Sequence, residues 1–244
     1  MSDLKLLNNT KATQADVVLS TKKITNHKAF NGHTVGVFGD SITADIQYVN
    51  YIRELKKLCP SMSFENHGIS NQKTWEIKER LKTALETKKY DQIIILCGVN
   101  NVYNPDKVIE DLKEMYAMAK AHGARVIAVT LTPNQGWEGF AKKQDVFLKN
   151  TQKVNDFILG RNGFDSPKNV DVAVNVYDKL GSQSDPHKMS AEYTNDFLHP
   201  CCCGQTIIAQ EIFKKAFFYK PKPPVPLFIE DDNRMVTAKE VSGS

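Results

Sequence analysis

The sequence has no run of about 18 consecutive apolar residues, so it offers no membrane-spanning helix. Its first twenty residues, MSDLKLLNNTKATQADVVLS, lack the apolar core and small-residue cleavage pattern of a secretory signal; no export is expected, and a cytoplasmic address follows. Cysteine is scarce. Five are present, and three of them are adjacent at Cys201, Cys202 and Cys203, which gives no framework of spaced pairs and suits a reducing compartment. Charge of one sign is scarce as well. A formal excess of +4 over 244 residues, with lysines scattered over helical faces, forms no basic stripe, so nucleic acid is not an expected partner. What is present is ordinary for a globular protein: 41% hydrophobic and 25% charged residues can bury a core without metal or disulfide.

From about residue 33 short β-rich runs alternate with longer helical patterns, the signature of βαβ units around a parallel sheet. Strands are expected at 34–38, 62–66, 92–97, 125–130 and 170–176, the third apolar almost throughout, as a central parallel strand should be. Helices are expected at 45–58, 74–88, 106–122, 140–160 and 204–219. One domain over 31–219 accounts for this pattern. Residues 1–30 form a polar N-terminal extension, and 220–244, opening with KPKPPVP, form a Pro-rich C-terminal tail.

Three pieces of sequence carry chemistry. The first strand ends in GDSI, which puts Ser41 at the carboxyl edge where open α/β sheets keep their ligands. Ser41 is a candidate nucleophile whose own N–H can hold an oxyanion; the competing reading makes it the N-cap of helix 45–58. Near the other end, NDFLHP places Asp196 three residues before His199, so that within one turn the carboxylate can accept the imidazole N–H and fix its tautomer. His27, His33, His67 and His122 lack such a companion, and His187, in the polar stretch GSQSDPHK, is expected to face solvent. Directly after the most apolar strand, CGVNN offers Asn100 as a neutral amide donor, or as a simple turn residue. Together these make a nucleophile, a base with its orienting acid, and an oxyanion donor.

The ordered blocks GDSI, NHGISNQKT, CGVNN and DFLHP resemble those of the SGNH/GDSL hydrolase family over about residues 33–218. The resemblance implies a three-layer α/β/α sandwich with a five-stranded parallel sheet, flavodoxin-like in arrangement. It also implies a Ser41–His199–Asp196 triad and an oxyanion site made by Ser41, the backbone N–H of Asn71 and the side chain of Asn100. The family usually has Gly where Asn71 stands, so Gly68 competes for the backbone role. Asn101 replaces the family's usual Asp, and Cys201, Cys202 and Cys203 fill the gap before the final helix, where small and mostly buried residues are expected.

No cofactor and no metal is implied. Pro133 and Trp137, in TLTPNQGWEGF after the fourth strand, form either a substrate wall suited to a sugar ring or a loop packed onto helix 140–160. The leading expectation is therefore a serine esterase that removes an acetyl or other short O-acyl group from a small-molecule or carbohydrate ester. The alternatives are a catalytically weakened domain serving as a carbohydrate-binding or virion-associated structural module, and a lipase or thioesterase for longer acyl chains. Oligomeric state is left open.

Overall fold

The computed structural model describes residues 30–44 and 50–218. The Pro-rich tail, nearly all of the N-terminal extension, and residues 45–49 of the first expected helix lie outside the described residues. Five strands, β1 (Thr34–Gly39), β2 (Ser63–Gly68), β3 (Gln92–Leu96), β4 (Arg125–Val129) and β5 (Val172–Val174), form one sheet in the order β2-β1-β3-β4-β5. Every pairing is parallel, with Gly39 opposite both Gly68 and Leu96 at the carboxyl edge. Strand β3 is buried at all five positions, because it lies at the centre with helices over both faces.

The connections are α1 (Tyr51–Leu58), α2 (Thr74–Thr87), α3 (Pro105–Ala121) and α4 (Gln144–Leu159), followed by the short α5 (Tyr177–Leu180) and α6 (Cys202–Ile212). Right-handed crossovers from β1 leftward to β2, and from β2 rightward through β5, put α1 on one face and α2, α3 and α4 on the other; α6 returns to pack against α1. The three-layer arrangement is thus the one expected. The core is built from Val35, Val37, Ile93, Ile94, Val126 and Ile127 on the sheet and from Leu55, Leu81, Leu112, Val154 and Ile208 on the helices, all fully or almost fully buried. Burying such side chains contributes roughly 1.5–3 kcal/mol each, so the sheet edge that carries the loops rests on a stiff platform. No helix among the described residues is long and apolar enough to cross a membrane.

Candidate active site

After Gly39 the chain turns at once into Asp40–Ala44. A Cβ on Gly39 would fall on Thr43 Oγ1 and the Leu96 carbonyl, so the turn closes against β3 only because that position is glycine. The Asp40 carbonyl accepts from Thr43 N (3.1 Å) and Ala44 N (2.9 Å). Asn50 Nδ2 donates to the Thr43 and Ala44 carbonyls at 3.0 and 3.2 Å, and Asn66 Nδ2 donates to Thr43 O at 3.0 Å. Ser41 sits half-buried on this clamped turn. It does not cap α1: Asn50 does, its Oδ1 accepting from Ile52 N at 2.8 Å, while the start at residue 45 expected for that helix lies outside the described residues.

Ser41 Oγ lies 3.0 Å from His199 Nε2, and His199 Nδ1 lies 2.6 Å from Asp196 Oδ2. With the Nδ1 proton on the side of the carboxylate, Nε2 presents its lone pair to the serine hydroxyl. The three-residue spacing works through a tight turn. Asp196 Oδ1 accepts from Leu198 N (2.9 Å) and His199 N (2.8 Å), while Thr194 Oγ1 accepts from Asp196 N and Phe197 N at 3.2 and 3.0 Å. The turn forces Phe197 to φ 61°, and Lys188 Nζ lies 4.2 Å over its ring. Partial burial pushes the Asp196 carboxyl up, but the His199 ring and these N–H groups outweigh it and hold the carboxyl below its usual range.

Two of the oxyanion candidates, Asn71 and Asn100, meet at the loop 69–72. Asn71 adopts φ 63°, the left-handed conformation that Asn tolerates best after Gly. Its N–H and that of Ser41 have no acceptor among the described residues. Gly68 N is already spent on Asn66 Oδ1 at 2.8 Å, and a Cβ on Gly68 would strike the Thr43–Ala44 backbone. Gly68 is thus glycine because the nucleophile turn presses on it. Asn100, in the 3-10 turn Val99–Asn101, donates one Nδ2 hydrogen to Gln72 O at 3.0 Å. Arg80 on α2 locks the same loop: it donates to Gln72 Oε1, to Gly39 O (3.0 Å) and, through Nε, to His67 O (3.1 Å).

Asn101 has a structural occupation. Fully buried, it accepts from Thr74 N at 3.1 Å, satisfying the start of α2, and donates to Thr74 Oγ1 at 2.9 Å. Thr74 Oγ1 in turn donates to buried Asp111 (2.6 Å), whose other oxygen meets Lys78 at 2.9 Å. A carboxylate at position 101, which the resemblance implies, would keep the Thr74 N–H on one oxygen but set the other against the Thr74 hydroxyl, whose hydrogen is committed to Asp111.

Beneath Ser41 lies a residue the sequence reading passed over. Asp40 is fully buried; Oδ1 accepts from Ile42 N at 3.1 Å, while Oδ2 has no hydrogen-bond partner among the described residues. Burial pushes its carboxyl up to about 6, against the opposing pull of the Ile42 and Gly98 N–H groups and the nearby His199.

The expected wall residues part company. Pro133 is buried under the loop. Trp137 is half-buried, packs edge-on against Phe140 at 4.6 Å, and also lines an open recess of about 440 Å³ with Gln135, Glu138, Gln144, Asp185 and Lys188. Lys188 joins this recess to the Phe197 turn. Two expectations about exposure are corrected. His187 is not solvent-facing: half-buried, it contacts Tyr177 Oη at 3.0 Å and Gln152 Nε2 at 3.4 Å. Cys202 and Cys203 are exposed and Cys201 is half-buried, because the first turn of α6 turns Gly204 and Gln205 inward and the thiols outward.

Residues 37–200 match the GDSL-like Lipase/Acylhydrolase family. The chain belongs to that family. It is a serine hydrolase acting on esters, of the kind that works through a catalytic triad and an oxyanion hole. Among curated proteins none matches. Solved structures with the same fold include a putative acylhydrolase from Bacteroides fragilis at 19% identity, covering 87% of this chain and 97% of that one with a TM-score of 0.61. A GDSL-like lipase from Bacteroides thetaiotaomicron, also at 19% identity, covers 80% and 95% with a TM-score of 0.58. An acetylxylan esterase from Geobacillus stearothermophilus, at 17% identity, covers 75% and 94% with a TM-score of 0.58.

Proposed function

We propose that the chain removes a short O-acyl group, most simply acetyl, from a carbohydrate-borne ester through an acyl-Ser41 intermediate. The observation that carries this is the unbroken relay Ser41 Oγ, His199, Asp196 at 3.0 and 2.6 Å. His199 Nε2 takes the hydroxyl proton as Ser41 Oγ bonds to the carbonyl carbon, and Asp196 stabilises the imidazolium. The carbonyl oxygen becomes an oxyanion held by the N–H groups of Ser41 and Asn71 and by the second amide hydrogen of Asn100. His199 then returns the proton to the leaving alcohol oxygen as the ester C–O bond breaks. A water deprotonated by the same nitrogen attacks the acyl-enzyme; the acid leaves and Ser41 regains its proton.

The carbohydrate side of the reading rests on the recess beside the Phe197 turn. It combines one aromatic face, Trp137, with the carboxylates of Glu138 and Asp185 and the amide of Gln135, groups that suit a ring with several hydroxyls. A solved structure of the same fold is an acetylxylan esterase, which agrees with this direction. A second reading, toward longer or aromatic acyl groups, has one observation behind it: Ile69 and Tyr103, on the loops that bear Asn71 and Asn100, are 45% and 55% exposed.

The test is a p-nitrophenyl ester series from acetate to octanoate, set beside an acetylated xylo-oligosaccharide. Hydrolysis should fall with chain length. Trp137→Ala should raise KM about 10-fold for the oligosaccharide and leave p-nitrophenyl acetate unchanged. Octanoate outpacing acetate would favour the second reading; full activity in a folded Ser41→Ala protein would refute both.

A further inference from the structure

Helix α6 begins three residues after His199 and buries one stripe: Gly204, Gln205, Ile208, Ala209 and Ile212. Gln205 is the amide on that otherwise apolar stripe, and it is 3% exposed. Its Nε2 donates to the Ile42 carbonyl at 3.2 Å, and its Oε1 accepts from Tyr51 N at 3.0 Å. Ile42 is the neighbour of Ser41, and Tyr51 N is the first amide of α1, which has no partner within its own helix. Ile42 and Tyr51 are themselves 2% and 0% exposed, so water is poorly placed to replace either bond.

These contacts close a ring. From Ser41 the chain passes to the Ile42 carbonyl, across to the Gln205 amide, and through the first turn of α6, where Gln205 N bonds Cys201 O at 2.8 Å. It then runs through Pro200 to His199, and from His199 Nε2 back to Ser41 Oγ at 3.0 Å. The nucleophile comes from β1 and the base from a segment 158 residues later, so nothing local to either fixes their separation. We infer that Gln205 is a positioning residue of the esterase, setting the Ser41–His199 distance by gripping the nucleophile turn from the helix that follows the base. The inference rests on the proposed role of Ser41 and His199.

A displacement of about 1 Å between reacting groups can cost ~10²-fold in rate. Loss of this amide should therefore act on the chemical step, while substrate contacts stay as they are. Gln205→Met keeps the length and nearly the volume of the side chain without its two polar ends; Gln205→Glu keeps the acceptor for Tyr51 N and loses the donor to Ile42 O.

The experiment measures the rate at which an organophosphonate labels Ser41, together with kcat and KM for p-nitrophenyl acetate, on folded monodisperse protein isolated by size exclusion. For Gln205→Met we expect labelling and kcat to fall at least 10-fold with KM within 2-fold of wild type. Gln205→Glu should fall in the same direction, and it carries the test if the Met variant does not fold. Wild-type labelling and kcat in either folded variant would overturn the positioning role, since a purely structural amide changes yield or stability and leaves the rate per folded molecule alone. If the wild-type protein itself is not labelled at Ser41, the nucleophile assignment fails instead, an outcome readily told apart.

Discussion

Asp40→Asn isolates the cost of a buried carboxylate beneath the nucleophile. In the fold its carboxyl stands at about 6 because burial disfavours the charge, against 3.8 for an ordinary aspartate in the unfolded chain. Between those values the native state holds a proton that the unfolded state has lost, so stability falls as pH rises from about 3.8 and levels off above 6. The span from 3.8 to about 6, at 1.36 kcal/mol per pH unit, gives about 3 kcal/mol in all. About 1 kcal/mol of that is already lost at pH 4.5, leaving about 2 kcal/mol between pH 4.5 and 7.5. Asn does not titrate. It can keep the acceptor for Ile42 N, and whatever its amide hydrogens cost in place of Oδ2 is the same at every pH. The stability of the Asn variant relative to wild type should therefore improve by about 2 kcal/mol from pH 4.5 to 7.5, or roughly 4–8 °C in Tm for a domain of this size. Urea unfolding of both proteins across that window measures the difference. A wild-type-minus-variant difference that stays flat with pH would refute the reasoning, because it would mean that Asp40 carries the same charge folded and unfolded.

Asn101→Asp should destabilise the protein by about 2 kcal/mol or more at pH 7, since it removes the donor to Thr74 Oγ1 and sets a second buried carboxylate beside Asp111. Thermal unfolding reads the loss, which acid should relieve; an unchanged Tm at pH 7 would contradict the network. Gly68→Ala should lower both Tm and the fraction of protein titratable by organophosphonate, because its Cβ displaces the Thr43–Ala44 backbone. Asn71→Gly should retain most of kcat, since position 71 contributes a backbone N–H at φ 63° that Gly reaches freely. If Asn71→Gly is as damaging as Gly68→Ala, the donor assignment is wrong.

The parts of this molecule that show in its sequence are those fixed by neighbours in the chain. The nearly apolar run at 92–96 must be a central strand, whereas the expected 170–176 contracts to Val172–Val174, the three residues over which β5 pairs with β4. Asp196 and His199 are legible as a pair because three residues separate them, although the geometry comes from an Asp-capped turn with Phe197 in the left-handed region. His187 misleads for the opposite reason. Its polar neighbours suggest solvent, yet its ring is claimed by Gln152, 35 residues earlier on α4, and by Tyr177 on α5. Cys202 and Cys203 mislead through residue type: small apolar side chains suggest burial, and helix phase decides otherwise.

Gln205 stands between these cases. The stripe of Ile208, Ala209 and Ile212 three, four and seven residues later already places it on the inner face of α6, so a buried amide was readable. Such an amide must have partners, since leaving one unsatisfied in the interior costs about 1–3 kcal/mol. What the pattern could not name is which groups they are, because Ile42 O and Tyr51 N come within reach only when α6 returns to pack on α1. A polar residue in phase with an apolar stripe therefore announces a tertiary bond before its partner is known. Here the partner adjoins the nucleophile, which is why that residue leads from the fold back to the chemistry.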